Sequence, residues 1–142
     1  MERPNPHLGL HHVALRTTDM GASRSFWIDL MGYTVEWEPD ADNVYLTMGL
    51  DNVALHAGPA PEGPQRLDHV GLLVASAEDV FAWERHLANA GIAIAQAART
   101  HRDGATSTYV RSPENTLVQI LHHPPISPAL NASGLHRTPN DR

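Results

Sequence analysis

"LHHVAL" at residues 10–15 and "LDHVGL" at residues 67–72 are two copies of one short motif, and this repeat indicates the fold. At the same offset along the chain, the apolar Phe26 corresponds to Trp83. Both aromatic residues fall in segments whose apolar side chains recur with a helical period. Because the order of elements after each motif also agrees, we interpret the chain as two related modules.

Each copy of the motif begins a predicted strand, which is followed by a helix and three further strands. In the first copy these elements span residues 9–16, 20–31, 33–38, 43–48 and 52–57. In the second copy they span residues 67–74, 77–90, 92–97, 105–111 and 116–122. Asp19 and Ser76 are placed to cap the two helices. The predicted fold class is therefore α+β, with two βαβββ modules.

The same pattern divides the chain into four segments. The modules cover residues 8–57 and 67–123. Between them, residues 58–66 ("GPAPEGPQR") are rich in proline and glycine and are interpreted as a linker. The tail at residues 124–142 contains several prolines and no hydrophobic period, so we expect it to be partly disordered.

The composition excludes several kinds of chemistry. The chain contains no cysteine, which excludes disulfide bonds, a thiol nucleophile and thiolate metal ligands. All of its basic residues are arginine, so Schiff-base chemistry on a lysine is impossible. Its 10 histidines make nitrogen and oxygen the natural donors for any metal ion.

Charge and hydropathy favour a soluble cytoplasmic protein. The formal net charge of -6 and the lack of a basic cluster argue against binding to nucleic acid or to anionic membranes. No apolar run has the length of a membrane span. The first residues lack the basic and apolar regions of a secretory signal, so we predict a cytoplasmic location.

Two longer stretches carry a family resemblance. "HHVALRTTDMGASRSFWIDLMGY" at residues 11–33 has a strand histidine, an aspartate at a helix start and an aromatic pair, and "STYVRSPENTLVQIL" at residues 107–121 has a matching final strand. In this order the stretches resemble the vicinal oxygen chelate superfamily, which includes glyoxalase I, extradiol dioxygenases and bleomycin-resistance proteins. The resemblance implies a glyoxalase-like fold, in which the two modules form a cup-shaped, curved mixed sheet.

The resemblance also implies a divalent metal ion between the modules, held by side chains from the first and last strands of each. The first-strand positions correspond to His12 and His69, which share one position of the repeat. The last-strand positions correspond to His56 and Gln119, with an extra loop in the second copy. A lone strand histidine more often faces solvent or the edge of a core, and Gln119 could instead be a buried amide. His11 has the opposite strand parity to His12 and is interpreted as structural.

Gln119 departs from the family, whose enzymes commonly place a glutamate at this position. Three imidazoles and one amide are all neutral, so these ligands would not balance the charge of the metal ion. We therefore expect a lowered metal affinity and an anionic substrate that chelates the metal through two vicinal oxygens. The choice among Zn, Ni, Fe, Mn and Co stays open.

Further residues are candidates for catalysis or substrate binding. Tyr109 could donate a hydrogen bond to a bound oxyanion, and His101 could carry a proton. Arg102 could bind a substrate anion, while Trp37 and Tyr45 could line the cup. Ordinary packing of the aromatic side chains, and solvent exposure of the loop histidine and arginine, are the alternatives.

Three functions are consistent with these observations. The first is a divalent-metal-dependent enzyme that acts on a small substrate through a chelated oxyanion, as a lyase, an isomerase or a dioxygenase. The second is a metal-free protein that binds a small molecule or an antibiotic, of the bleomycin-resistance type. The third is a non-catalytic interaction domain. The resemblance implies a homodimer.

Overall fold

The computed structural model describes residues 10–64, 66–102 and 104–123. These residues form two four-stranded sheets, one in each half of the chain. The tail predicted at residues 124–142 lies outside the described residues. No helix in the described part of the chain has the length and hydrophobicity needed to cross a lipid bilayer.

The first sheet contains β1 (His12–Thr17), β2 (Thr34–Asp40), β3 (Asn43–Thr47) and β4 (Asn52–Ala57). Their order in space is β1-β4-β3-β2. Strand β1 runs parallel to β4, whereas the other two pairs are antiparallel. The sheet is therefore mixed, with β1 and β2 at its edges.

The second sheet repeats this topology with β5 (Val70–Leu73), β6 (Ile94–Thr100), β7 (Thr106–Arg111) and β8 (Leu117–His122). Their order in space is β5-β8-β7-β6, and again only the first and last strands pair in parallel. The predicted α+β class, with two mixed sheets that are open and curved, is confirmed.

The first helix changes its geometry along its length. Helix α1 (Met20–Arg24) begins after Asp19, whose Oδ1 accepts a hydrogen bond from the backbone N–H of Ala22 at 2.9 Å. The chain continues as a π-helical segment (Ser25–Leu30). The sequence pattern predicts one regular helix here, and the wider π turn instead buries two neighbouring aromatic side chains.

The second helix has the stronger N-terminal cap. Helix α2 (Ala77–Asn89) follows Ser76, which forms a reciprocal capping box with Asp79. It packs against β6, β7 and β8. Gly91, with φ of 81°, lies just beyond its end in the left-handed region that glycine favours.

Both halves of the chain contribute to one apolar core. Its largest members are fully buried: Trp27, Phe26, Leu46, Leu55, Leu87 and Ile120. Hydrogen bonds also join the halves. The indole Nε1 of Trp27 donates to Glu114, and Nε2 of His86 donates to the carbonyl oxygen of Leu30 at 3.0 Å. The two sheets are therefore held together from their core side, which leaves their opposite faces open.

Candidate functional site

Burial alternates along the strands, and this gives each sheet one face that points away from the core. On β3, for example, Val44 and Leu46 are buried, whereas Tyr45 between them is only half-buried. We call these open sides the first face and the second face, after their sheets. Most of the predicted site residues lie on them: His12, Trp37, Tyr45 and His56 on the first face, and His69, Tyr109 and Gln119 on the second.

Aromatic side chains dominate the first face. Trp37 and Tyr45 are register partners on β2 and β3, and their rings stack with centroids 5.0 Å apart at an interplanar angle of 30°. The ring of His56 meets Tyr45 edge-on, with centroids 5.7 Å apart. Trp37 is 59% exposed despite its size. These rings therefore present an open aromatic surface.

A pocket of about 350 Å³ lies beside the stacked pair. Its lining consists of polar and aromatic side chains from all four strands of the first sheet and from the residue before β1: His11, His12, Glu36, Trp37, Tyr45 and Asn52. Asn52 is the register partner of His12, and its Nδ2 donates to Oε2 of Glu36 at 2.5 Å. The pocket thus contains a carboxylate that is fixed by a buried amide.

A β-bulge explains how Glu36 comes to line the same pocket as Trp37. Neighbouring residues on a regular strand point to opposite faces. The register between β2 and β3 shifts between Val35 and Trp37, so Glu36 has no partner in the ladder. Bulges of this kind re-aim a side chain.

The second face brings together three of the predicted site residues. The rings of His69 and Tyr109 meet edge-on with centroids 5.6 Å apart, and Tyr109 is the register partner of Gln119. Nδ1 of His69 donates to Oδ1 of Asp68 at 2.6 Å. This bond leaves Nε2 of His69 as the acceptor nitrogen, the arrangement that metal-binding histidines often show.

The strand registers define which positions of the two modules correspond. Val13 pairs with Val53, and Val70 pairs with Val118, so Ala54 occupies the position that corresponds to Gln119. His56 lies two residues further along β4. The predicted pairing of His56 with Gln119 as equivalent last-strand positions is therefore replaced by that of Ala54 with Gln119.

His56 has its own partners within the first sheet. It lies opposite Arg16 on β1 and Asn43 on β3. Its Nδ1 donates to Oδ1 of Asn43 at 2.7 Å. His12 is instead opposite Asn52, so the two predicted ligands of the first module lie in different rows of the sheet.

The donor set does not fit a closed metal site within one chain. Among residues 10–64, 66–102 and 104–123, no three or more His, Asp or Glu side chains converge as a group that could hold a metal ion. Ala54 has no donor atom at the fourth position, and the amide of Gln119 is neutral. Metal binding would need donors from His12 and from His69, which the fold places on separate sheets.

The sequence and the fold both match known proteins. Residues 9–120 match the family model of the Glyoxalase/Bleomycin resistance protein/Dioxygenase superfamily. The chain belongs to this superfamily. A search of curated proteins found no match to this sequence.

Solved structures with the same fold include a lactoylglutathione lyase from Agrobacterium tumefaciens, with a TM-score of 0.69 at 18% identity over 83% of this chain and 96% of that one. A glyoxalase-related enzyme from Fulvimarina pelagi has a TM-score of 0.69 at 16% identity, over 82% of this chain and 88% of that one. A possible glyoxalase from Bacillus cereus has a TM-score of 0.66 at 21% identity, over 81% and 99%. At these identities the likeness shows the glyoxalase-like fold alone.

The two loop residues predicted to act on substrate lie in the turn between β6 and β7. Nε2 of His101 is 2.9 Å from Oγ of Ser107, and its backbone N–H donates to the carbonyl oxygen of Ala105. Arg102 is exposed. Ser107 is two residues from Tyr109 on β7, so His101 lies at the end of the second face and not at its centre.

Sequence reasoning missed three residues of the pocket on the first face: His11, Glu36 and Asn52. His11 precedes β1, so strand alternation with His12 does not apply to it, and their Nδ1 atoms are 3.0 Å apart. The bulge that turns Glu36 has no sequence signal. Asn52 could have been found, because an asparagine at the start of an apolar strand is unusual.

A second cavity, of about 440 Å³, lies between the two modules of this superfamily fold. Its lining is largely apolar and includes Met48, Leu50, Leu72 and Trp83. Tyr33 also lines it. None of the site residues predicted from the sequence lines this groove.

Tyr33 makes the stability of the fold depend on pH. Burial, the hydrogen bond to Oδ2 of Asp51 at 2.8 Å and the charge of that carboxylate all raise the pKa of Tyr33. In the unfolded chain the phenol ionises at about pH 10. The stabilisation is therefore fully present below that pH and is lost as the pH rises through the higher pKa of the folded state.

We expect Tyr33→Phe to lower the free energy of unfolding by about 1 kcal/mol at neutral pH, because the hydrogen bond to Asp51 is lost. Above about pH 10 the wild-type protein should lose stability more steeply than the variant. Denaturant titrations across this range measure both effects. Parallel pH profiles for the two proteins would contradict the assigned role of Tyr33.

Proposed function

We propose that the protein binds a planar aromatic small molecule on its first face, with Trp37 and Tyr45 as the stacking platform. The observation that carries this proposal is the exposed, stacked ring pair beside a pocket of about 350 Å³. That volume falls at the lower end of the range for small-molecule sites. An aromatic ligand would gain offset stacking in addition to the burial of its apolar surface.

The shape of the first face supports binding of a ligand between two walls. The pocket beside Trp37 is open on one side, whereas small-molecule sites bury most of the ligand surface. We propose that the chain forms a homodimer in which the second face of one copy covers the first face of the other. His69, Tyr109 and Gln119 would then supply polar groups to the opposite wall, which gives these predicted site residues a role in orienting the ligand.

Nuclear magnetic resonance of the indole N–H groups tests the binding site directly. The three tryptophans are well separated in environment: Trp27 is buried, Trp83 lines the groove between the modules, and Trp37 is exposed on the first face. On titration of chelator-treated protein with quinoline, we expect the Trp37 signal to shift while the Trp27 signal stays in place. A shift confined to Trp83, or no shift at all, would overturn the proposal.

A metal-dependent enzyme is the second candidate function. The observation in its favour is the matched position of His12 and His69, together with the hydrogen bond from His69 to Asp68 that leaves Nε2 available. The predicted anionic, oxygen-chelating substrate belongs to this candidate. Metal analysis of protein purified without a metal-affinity column tests it. Stoichiometric metal that is lost in the His12→Ala, His69→Ala double variant would favour the enzyme over the metal-free binding protein.

A further inference from the structure

Among the residues that the structure describes, the lining of the pocket on the first face contains one carboxylate, that of Glu36, and no arginine. The chain has no lysine that could reach this carboxylate. The buried amide of Asn52 holds Oε2 of Glu36 at 2.5 Å. This neutral partner positions the carboxylate without cancelling its charge.

A neighbouring glutamate shows the contrast. Glu38 lies two residues along the same strand, and its Oε1 accepts a hydrogen bond from Nη1 of Arg24 at 2.8 Å. Its charge therefore has a partner within the chain. Glu38 does not line the pocket. The fold thus neutralises one of these two carboxylates and leaves the other beside the aromatic rings.

The carboxylate is specific to the first module. Both sheets have a bulge at the corresponding place, between Val35 and Trp37 in β2 and between Ile94 and Gln96 in β6. The residue in the second bulge is alanine. Glu36 is therefore not required to make the bulge, and its side chain is available for binding.

We propose that this pocket selects planar aromatic cations, such as an N-alkylated heteroaromatic ring. A cation stacked on Trp37 gains attraction to the π face of the indole, which is the strongest aromatic partner for cations. Its positive charge is also attracted to the carboxylate of Glu36 as an ion pair, without a hydrogen bond. The inference rests on the proposed aromatic binding function and adds the charge of the ligand to it.

Three probes with rings of the same size separate the contributions of charge and stacking: 1-methylquinolinium as cation, quinoline as neutral ring and 2-naphthoate as anion. Calorimetric titration of the wild-type protein measures the three affinities. We expect the wild-type protein to bind the cation about tenfold more tightly than quinoline, and the anion most weakly.

Matched variants assign the preference to one carboxylate. Glu36→Gln should remove most of the preference for the cation over quinoline and leave only the attraction to the indole face, while Glu38→Gln, which removes the same charge, should change the affinity for the cation by less than about twofold. Glu36→Lys should reverse the preference toward 2-naphthoate. Melting temperatures of the variants verify that each is folded.

The outcomes of these titrations distinguish selectivity for cations from the proposed binding of aromatic ligands. Equal affinities for the cation and quinoline, or equal losses in the two glutamine variants, would overturn the charge selectivity and leave aromatic binding intact. If none of the three probes binds the wild-type protein, both proposals fail. A reversal in Glu36→Lys together with selective loss in Glu36→Gln would support the site as assigned.

Discussion

Trp27→Ala should lower the free energy of unfolding by about 3–5 kcal/mol, which is a large part of the stability of a small protein. The side chain is fully buried, and its ring packs edge-on against Phe26 and Tyr33 with centroids 5.2 and 5.5 Å away. Its indole N–H also donates to Glu114 in the other half of the chain. The substitution therefore creates a cavity and removes a bond between the modules.

Two control variants separate the causes of this loss. Trp27→Phe keeps most of the ring but removes the donor to the carboxylate of Glu114, which should cost about 1–3 kcal/mol. Trp37→Ala makes the same chemical change at an exposed position and should cost less than about 1 kcal/mol. Chemical denaturation of the three variants gives the comparison. A Trp27→Ala variant as stable as Trp37→Ala would contradict the shared core.

Trp37→Ala should instead weaken the binding of quinoline by about tenfold to thirtyfold. The expected loss corresponds to about 1.4–2 kcal/mol of stacking and burial on the indole face. Calorimetry on wild type and variant measures it. Because Trp37 is 59% exposed, the variant should retain its fold, so the loss reports on binding and not on unfolding.

The control for this prediction is Trp83→Phe, which changes an aromatic side chain of the groove between the modules. It should leave the affinity for quinoline unchanged. Sedimentation of Trp37→Ala verifies that the oligomeric state is the same as that of the wild type. An unaltered affinity in Trp37→Ala, or a loss of equal size in Trp83→Phe, would place the ligand elsewhere.

The fold could be predicted because the internal repeat indicates two modules with the same order of strands and helix. Aligning "LHHVAL" with "LDHVGL" yields two modules with the same element order, and hydrophobic period distinguishes their helices from their strands. The π-helical segment at Ser25–Leu30 could not be predicted, because its hydrogen-bond pattern is set by packing of Phe26 and Trp27 and not by local propensity.

The site was predictable in part. The repeat and the predicted strands indicate His12, His69, Tyr45 and Tyr109, and the structure places all four on the open faces. The sequence could not show that Ala54, and not His56, occupies the position that corresponds to Gln119. The two residues differ by one strand period and share a face, so alternation fits both, and only the register with β1 distinguishes them.

The registers also show why the two faces differ in chemistry. Tyr45 and Tyr109 occupy corresponding positions, but their partners across the sheet are Trp37 in the first module and Gln96 in the second. On the adjacent last strands, Ala54 corresponds to Gln119. The first face is therefore aromatic where the second face carries amides. In the proposed homodimer, the first face would stack on the ligand and the second face of the partner subunit would form hydrogen bonds with it.

The affinity for quinoline, measured in chelator-treated protein and again after addition of zinc or nickel, tests whether the first face binds an aromatic ligand without a metal ion. We predict the same dissociation constant, within about twofold, under both conditions. This result follows if stacking on Trp37 carries binding and no metal ion takes part. Binding that appears only after metal is added would contradict metal-free stacking on Trp37 and would favour a metal centre built from His12 and His69.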